Sequence, residues 1–151
     1  MIPKPKKPKT KIYEPNIKTS LLDAKFSEVI RRRAILNTGG CERCLTPKYD
    51  IEKNKGGKFP ARKLLQCSHF IGRAKKSVRW DEDNASGLCG GCHMYFTAHP
   101  DEHTEFFKDR LGDKFDLLQA RKHQIKPDKY LIYLHLDELL LECKKRIKEM
   151  E

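Results

Sequence analysis

Two Cys-x-x-Cys pairs, Cys41/Cys44 and Cys89/Cys92, constrain this chain more than any other feature. Each pair presents two thiolates at the bite a tetrahedral ion requires, and two pairs complete a Zn(Cys)4 set. A redox reading of one Cys-x-x-C motif does not explain why it occurs twice. Positions 45–88 separate the knuckles, 44 residues, which is longer than in a compact zinc ribbon. Something is therefore inserted between the two halves of the metal site, and the fold is organised around that insertion.

The insertion is where the chemistry-bearing residues collect. It runs Leu65-Gln66-Cys67-Ser68-His69-Phe70-Ile71-Gly72-Arg73, then Trp80-Asp81-Glu82-Asp83-Asn84, and it closes on Cys89-Gly90-Gly91-Cys92-His93. Residues 60–80 hold six basic side chains, Arg62, Lys63, Arg73, Lys75, Lys76 and Arg79, and no acid. A merely solvated surface does not exclude one sign over twenty residues, so this stretch is expected to face phosphates. The chain carries a net charge of +11, which points to a polyanionic partner, nucleic acid before membrane. No apolar run approaches the roughly 20 residues of a spanning helix. The N-terminus has no signal-like apolar stretch, so a soluble intracellular protein without a membrane partner is expected.

In chain order, residues 1–18 are Lys- and Pro-rich and read as a basic flexible arm. One domain is expected over 19–151. A helix is predicted from about Ser20 to Leu36, capped by Thr19 or Ser20, with Leu22, Phe26, Val29, Ile30 and Leu36 on one face. Arg31, Arg32 and Arg33 lie near its end, favourable to the helix dipole or available to DNA. Residues 46–61 carry Pro47, Gly56, Gly57 and Pro60 and read as a loop or loose hairpin. Strands are predicted at Lys63–Phe70 and Val78–Trp80, followed by a helix from Asn84 to about Phe96. A helix starting at Pro100, with Phe106, Phe107 and Leu111 on its apolar face, should stop at Gly112. A short helix over 113–123 follows. The last helix begins at Pro127-Asp128, with Ile132, Leu136, Leu139, Cys143, Ile147 and Met150 in a stripe and Leu131, Leu134 and Leu141 beside it. That surface permits a homodimer without requiring one. About 100–150 is thus a helical C-terminal part.

His69, at the end of a strand beside the basic patch, is the candidate general base. Asn84 is expected to hydrogen-bond the loop carrying His69 and orient its ring, or else to cap a helix. His93, fixed by the second knuckle, is the candidate ligand of a catalytic divalent cation. His99 and His103 are spaced to chelate, but Pro100 and its acidic neighbours read better as a helix start. Cys67 reads as a buried strand residue outside the zinc set, and Cys143 as a small hydrophobe.

Together these motifs, from Cys-x-x-Cys through Ser-His-Phe-Ile-Gly-Arg and Arg-Trp-Asp-Glu-Asp-Asn to Cys-Gly-Gly-Cys-His, resemble the NinG (Rap) recombination proteins of bacteriophages and prophages. That family is a branch of the HNH, or His-Me finger, nucleases. The likeness covers roughly residues 20–150 and includes Phe26-Ser27-Glu28 and Arg110-Leu111-Gly112. It implies an α+β fold, a small zinc-stabilised ββα-metal core flanked by an N-terminal helix and C-terminal helices. It also implies a bacterial cytoplasmic DNA endonuclease, phage- or prophage-encoded. Such an enzyme acts on branched recombination intermediates such as Holliday junctions and D-loops, with Mg2+ or Mn2+. By motif position His69 matches the catalytic histidine, Asn84 the central asparagine and His93 the final metal-binding position. Cys41, Cys44, Cys89 and Cys92 match the structural zinc ligands, and Arg73 an arginine after the catalytic histidine. Two positions depart from the pattern. Ser68 stands where many HNH enzymes place an Asp or His ligand, and His93 where the NinG branch often has Asn. The competing readings are a catalytically inactive zinc-containing DNA-binding accessory, and a general HNH nickase cutting ordinary duplex.

Overall fold

A computed structural model describes residues 2–4, 17–47 and 64–150. The loop predicted at 46–61, nearly all of the basic arm, Arg62 and Lys63 lie wholly or largely outside the described residues. Helix α1 spans Thr19–Thr38, strand β1 Gln66–His69, strand β2 Ala85–Leu88, α2 Gly90–Ala98, α3 Pro100–Leu111, α4 Lys114–Arg121 and α5 Lys129–Met150. A single turn of 3-10 helix, Glu82–Asn84, leads into β2. The described residues form a mixed α+β architecture, mostly helical, with one two-stranded antiparallel sheet among them in which Gln66 pairs with Leu88 and His69 with Ala85.

The first helix is the structural centre. Its apolar residues fall at i, i+4, i+7 and i+8, and Leu22, Phe26, Val29 and Ile30 are each at most 1% exposed. Each such side chain contributes about 1.5–3 kcal/mol on burial. One flank of α1 packs on Leu136 and Leu140 of α5, and another meets Ala85 of β2 and Trp80. Ile17 joins the same core, so the packed region begins before residue 19. The helix runs two residues past the expected end at Leu36, to Thr38, where Gly39 adopts the left-handed conformation (φ 75°) and its N–H returns to the Ile35 carbonyl. Its start differs from expectation: the cap is Lys18, with no side-chain cap bond, and Thr19 is already helical.

The second strand also differs. Val78–Trp80 is not a strand but a turn, closed locally by Val78 N–H to Lys75 O and Asp81 N–H to Val78 O. Ala-Ser-Gly-Leu takes the strand position instead, and all four of its residues are buried. Gly87 shows why tertiary packing overrides weak strand propensity: a Cβ there would lie 2.6 Å from the Ala34 Cβ on α1. The helix predicted from Asn84 therefore starts later, at Gly90, with Cys89 as its cap. Side chains alternate along β1, so Cys67 and His69 turn toward α1 while Gln66 meets α2.

The arginine run near the end of α1 is committed inward. Arg31 and Arg32 are buried. Arg33 donates to the carbonyls of Glu82 and Ala85. From α3, Arg110 donates to Ala85 and Asp83 carbonyls. Burial pulls the Arg110 guanidinium down to about 10, so it stays charged at neutral pH. Between these two arginines sits Glu42, only 8% exposed, whose carboxylate accepts the Gly87 N–H at 2.6 Å. In α3, Pro100, Asp101 and Glu102 form the first turn as predicted, and Gly112 ends it. Asp128 accepts from the Tyr130 N–H at the start of α5. Leu136, Leu140 and Ile147 of α5 are buried, Cys143 is half-buried, and Leu131 and Leu141 are exposed. Among the described residues no helix is long and apolar enough to cross a membrane.

Candidate functional site

The four knuckle cysteines converge. Their sulfurs all lie within 4.8 Å of one another, and Cys44 Sγ is 3.8 Å from Cys89 Sγ. A tetrahedral ion with bonds of about 2.3 Å to sulfur has S···S edges of about 3.8 Å, so the cluster can hold a metal such as zinc. Local folding explains the convergence. Cys41 and Cys44 sit in a tight turn after α1, held by Cys41 N–H to Thr46 O and Leu45 N–H to Cys41 O, with Leu45 left-handed (φ 59°). Cys89 and Cys92 lie at the cap and in the first turn of α2. The Thr46 hydroxyl, 3.0 Å from Cys44 Sγ, holds that thiol down to about 6. Burial pushes the Cys92 thiol up to about 12, opposed by the Arg43 guanidinium at 3.5 Å. Arg43 is pinned there by stacking over the Tyr95 ring at 3.9 Å. Cys67 lies outside this set, and burial pushes its thiol up to about 12.

His69 lines a cleft of about 500 Å³ between α1 and β1, shared with Asp23, Ser27, Arg31, Gln66 and Arg73. Its ring packs against Phe26 with centroids 5.4 Å apart. Nε2 lies 2.8 Å from the Arg79 carbonyl oxygen. A carbonyl only accepts, so in the neutral ring Nε2 carries the hydrogen and Nδ1 the lone pair. Burial holds the imidazole below its ordinary pKa, against the opposing Arg79 hydrogen bond, and nearby Arg73 adds to the lowering. His69 is therefore neutral at pH 7.

Asn84 is fully buried and clamps the loop that follows His69. Its Oδ1 accepts the Ile71 N–H at 2.7 Å, and its Nδ2 donates to Ile71 O at 2.9 Å and Val78 O at 3.0 Å. Its backbone carbonyl accepts the Phe70 N–H. The expected link to the histidine loop is present; the helix-cap alternative is not, since Asn84 ends a 3-10 turn and precedes a strand.

Asp23 is the residue that sequence reasoning missed. From α1 it accepts two bonds from Arg79, one from Arg73 and one from the Trp80 indole at 2.9 Å. Burial opposes its charge, but these hydrogen bonds outweigh that and keep the carboxyl below its ordinary value. Nothing in its local sequence marks it, because all its partners lie at least 50 positions away. Its effect on the basic patch is to divide it. Arg79 is a strut, 15% exposed, rather than the phosphate-facing residue predicted. Arg73, at 57%, and the exposed Lys75 and Lys76 remain open to a ligand.

His93 sits in α2 directly after the second knuckle, with Nδ1 2.6 Å from Gln66 Oε1. His99 stacks on Tyr95 and bonds its carbonyl, while His103 stacks on Phe96 at 4.7 Å inside an aromatic cluster with Phe70 and Phe107. Burial takes His103 down to about 4, and its Nε2 finds no hydrogen-bond partner among the described residues. The two are thus packed on different aromatic surfaces and do not form a chelating pair. Ser68 is 1% exposed.

Neither family models, curated proteins nor solved structures give a match to this chain.

Proposed function

We propose that this protein is an HNH-type, metal-dependent DNA endonuclease, selective for branched recombination intermediates such as Holliday junctions and D-loops. The observation that carries the reading is the state of His69. It is neutral, it lines an arginine-bearing cleft, and its Nε2–H is committed to a fixed carbonyl. The lone pair on Nδ1 then takes a proton from water. The positive charge formed on the ring is spread toward the Arg79 carbonyl, which Asp23 holds through the Arg79 side chain and Asn84 through Val78. Arg73, Lys75 and Lys76 bind the phosphate backbone on the same loop. The four cysteines hold a structural zinc that ties α1 to α2.

His93 would hold a catalytic Mg2+ or Mn2+ through one ring nitrogen. Bound there, the ion would supply Lewis-acid stabilisation of charge on the scissile phosphate and leaving oxygen. The likeness of these residues to the NinG family supports the same class. One observation favours the rival, an inactive zinc-containing DNA-binding accessory: Ser68 is buried, and the nearest cleft carboxylate, Asp23, is occupied by two arginines.

The test is cleavage of a labelled four-way junction beside a linear duplex of the same sequence, with Mg2+, Mn2+ or EDTA. Wild type should cut the junction in either metal, and His69→Ala should bind it without cutting. Equal cutting of both substrates would point to a general nickase. Tight binding with no cutting in any metal would establish the accessory reading.

A further inference from the structure

We infer that Cys44 is the modification site of the four-sulfur cluster, the corner at which oxidants and alkylating agents enter, and that Arg43 guards Cys92 against them. The inference rests on the cluster holding zinc, as proposed above, and not on the nuclease chemistry. The four sulfurs are alike in type but not in access. Cys41 is fully buried and Cys92 is 5% exposed, Cys89 is half-buried, and of the four only Cys44 is exposed. Four thiolates on one divalent ion leave a double negative charge. Cys92 shares its part of that charge with Arg43, whose guanidinium lies 3.5 Å from the sulfur. The guanidinium is held there by the Tyr95 ring at 3.9 Å and the Phe96 ring at 5.1 Å, and Tyr95 is itself stacked on His99. Arg43 sits between Cys41 and Cys44, so it reaches from the first knuckle to the second. A charge-assisted hydrogen bond to a thiolate ties up the lone pair that would attack an electrophile. Cys44 has a weaker guard: its sulfur meets the Thr46 hydroxyl at 3.0 Å, a neutral partner on a residue that is itself exposed.

Oxidation by hydrogen peroxide follows the same order of access. The Cys44 thiolate attacks the peroxide, expels hydroxide and becomes a sulfenic acid. The Cys89 thiolate, 3.8 Å away, attacks that sulfur, expels a second hydroxide and forms a disulfide. The two thiolates together lose two electrons, and the peroxide leaves as two hydroxide ions. Zinc, left with Cys41 and Cys92, is released. The disulfide joins one knuckle to the other, because closure within either Cys-x-x-Cys pair needs Cys41 or Cys92, the two buried sulfurs.

The experiment uses the full chain with zinc bound, as wild type, Arg43→Met and Arg43→Lys. Limiting N-ethylmaleimide is added, and mass spectrometry of fragmented peptides reports the occupancy of each cysteine while a colorimetric chelator reports zinc release. In wild type, Cys44 should be the first of the four to be labelled, and zinc should leave at the rate of that labelling. Arg43→Met, which keeps the stem over Tyr95 and loses the charge, should open Cys92 to the reagent and hold zinc about 10- to 100-fold more weakly. Arg43→Lys, which keeps the charge, should fall between the two. With hydrogen peroxide in place of the maleimide, the first crosslink should be Cys44–Cys89. First labelling at any other knuckle cysteine of wild type would overturn the inference, as would a first crosslink within a Cys-x-x-Cys pair. So would a folded Arg43→Met protein whose Cys92 labelling and zinc retention match wild type. Purified folded protein without zinc sinks the zinc reading and the inference with it. One zinc per chain with labelling in another order sinks the inference alone.

Discussion

Replacing Asn84 by aspartate changes one atom's chemistry at the most enclosed polar position near His69. One carboxyl oxygen keeps the Ile71 N–H. The other takes the place of Nδ2, facing Ile71 O at 2.9 Å and Val78 O at 3.0 Å. An ionised carboxylate there meets two carbonyl oxygens in a site with no solvent exposure, so the group keeps its proton in the folded state. Even protonated, it donates to one carbonyl and strands the other, at about 1–3 kcal/mol. Linkage adds a pH-dependent part. The introduced carboxyl has a folded pKa above its unfolded value of about 3.9, so the folded state binds more protons and stability falls as pH rises. The fall is about 1.4 kcal/mol per pH unit until the folded pKa is reached, or about 2 kcal/mol between pH 5.5 and 7. Urea unfolding of zinc-loaded wild type and N84D, followed by the fluorescence of the single tryptophan, Trp80, measures the gap directly. Excess zinc makes metal linkage common to both proteins. The reasoning is refuted if the gap between them stays constant from pH 5.5 to 7, or if N84D is as stable as wild type.

Cys41→Ser or Cys89→Ser should abolish stoichiometric zinc, about one ion per chain by metal analysis of wild type, and the cooperative unfolding transition with it. His103→Phe should stabilise the protein at pH 5, because the unfolded chain gains a proton near pH 6.5 while folded His103 resists until about 4. Wild type therefore loses stability as pH falls through that window, and the variant should show a flatter acid limb in thermal unfolding. Asp23→Asn should destabilise by about 1–3 kcal/mol in urea by loosening Arg79. It should also raise the salt sensitivity of DNA binding, since Arg73 and Arg79 would then lack their carboxylate partner.

The parts legible in the sequence are those with short-range signatures. The cysteine pairs announced a four-sulfur cluster by spacing alone. The helices α1, α3 and α5 followed from apolar periodicity and from Pro100 and Gly112, and β1 from the apolar approach to His69. Asn84 was legible as a loop-holding residue beside the alternative of a helix cap, and only the first is found. What was not legible depends on partners far away. Ala85–Leu88 is a strand because α1 accepts Gly87 at close approach, while the backbone of Val78–Trp80, richer in strand-forming residues, closes turns and accepts from the His69 and Asn84 side chains instead of pairing with a strand. Asp23 and Glu42 carry no local sequence mark; each is defined by arginines from other elements. For the same reason a run of like charge did not reveal that Arg79 is tied inward while Arg73 is open.

The packing of α1 against α5 joins the first described helix to the last, and Lys25 and Asp137, paired across it, are 112 positions apart. Closing a loop of that length costs on the order of 4 kcal/mol in chain entropy before any contact repays it. During synthesis α1 emerges well before α5 and waits with Leu22 and Phe26 uncovered until α5 has followed. Topology of this kind slows folding and lengthens exposure to aggregation. A premature stop between the second knuckle and α5 would therefore yield a chain with both zinc knuckles intact and its central helix still bare, a substrate for proteases and chaperones rather than a smaller working protein.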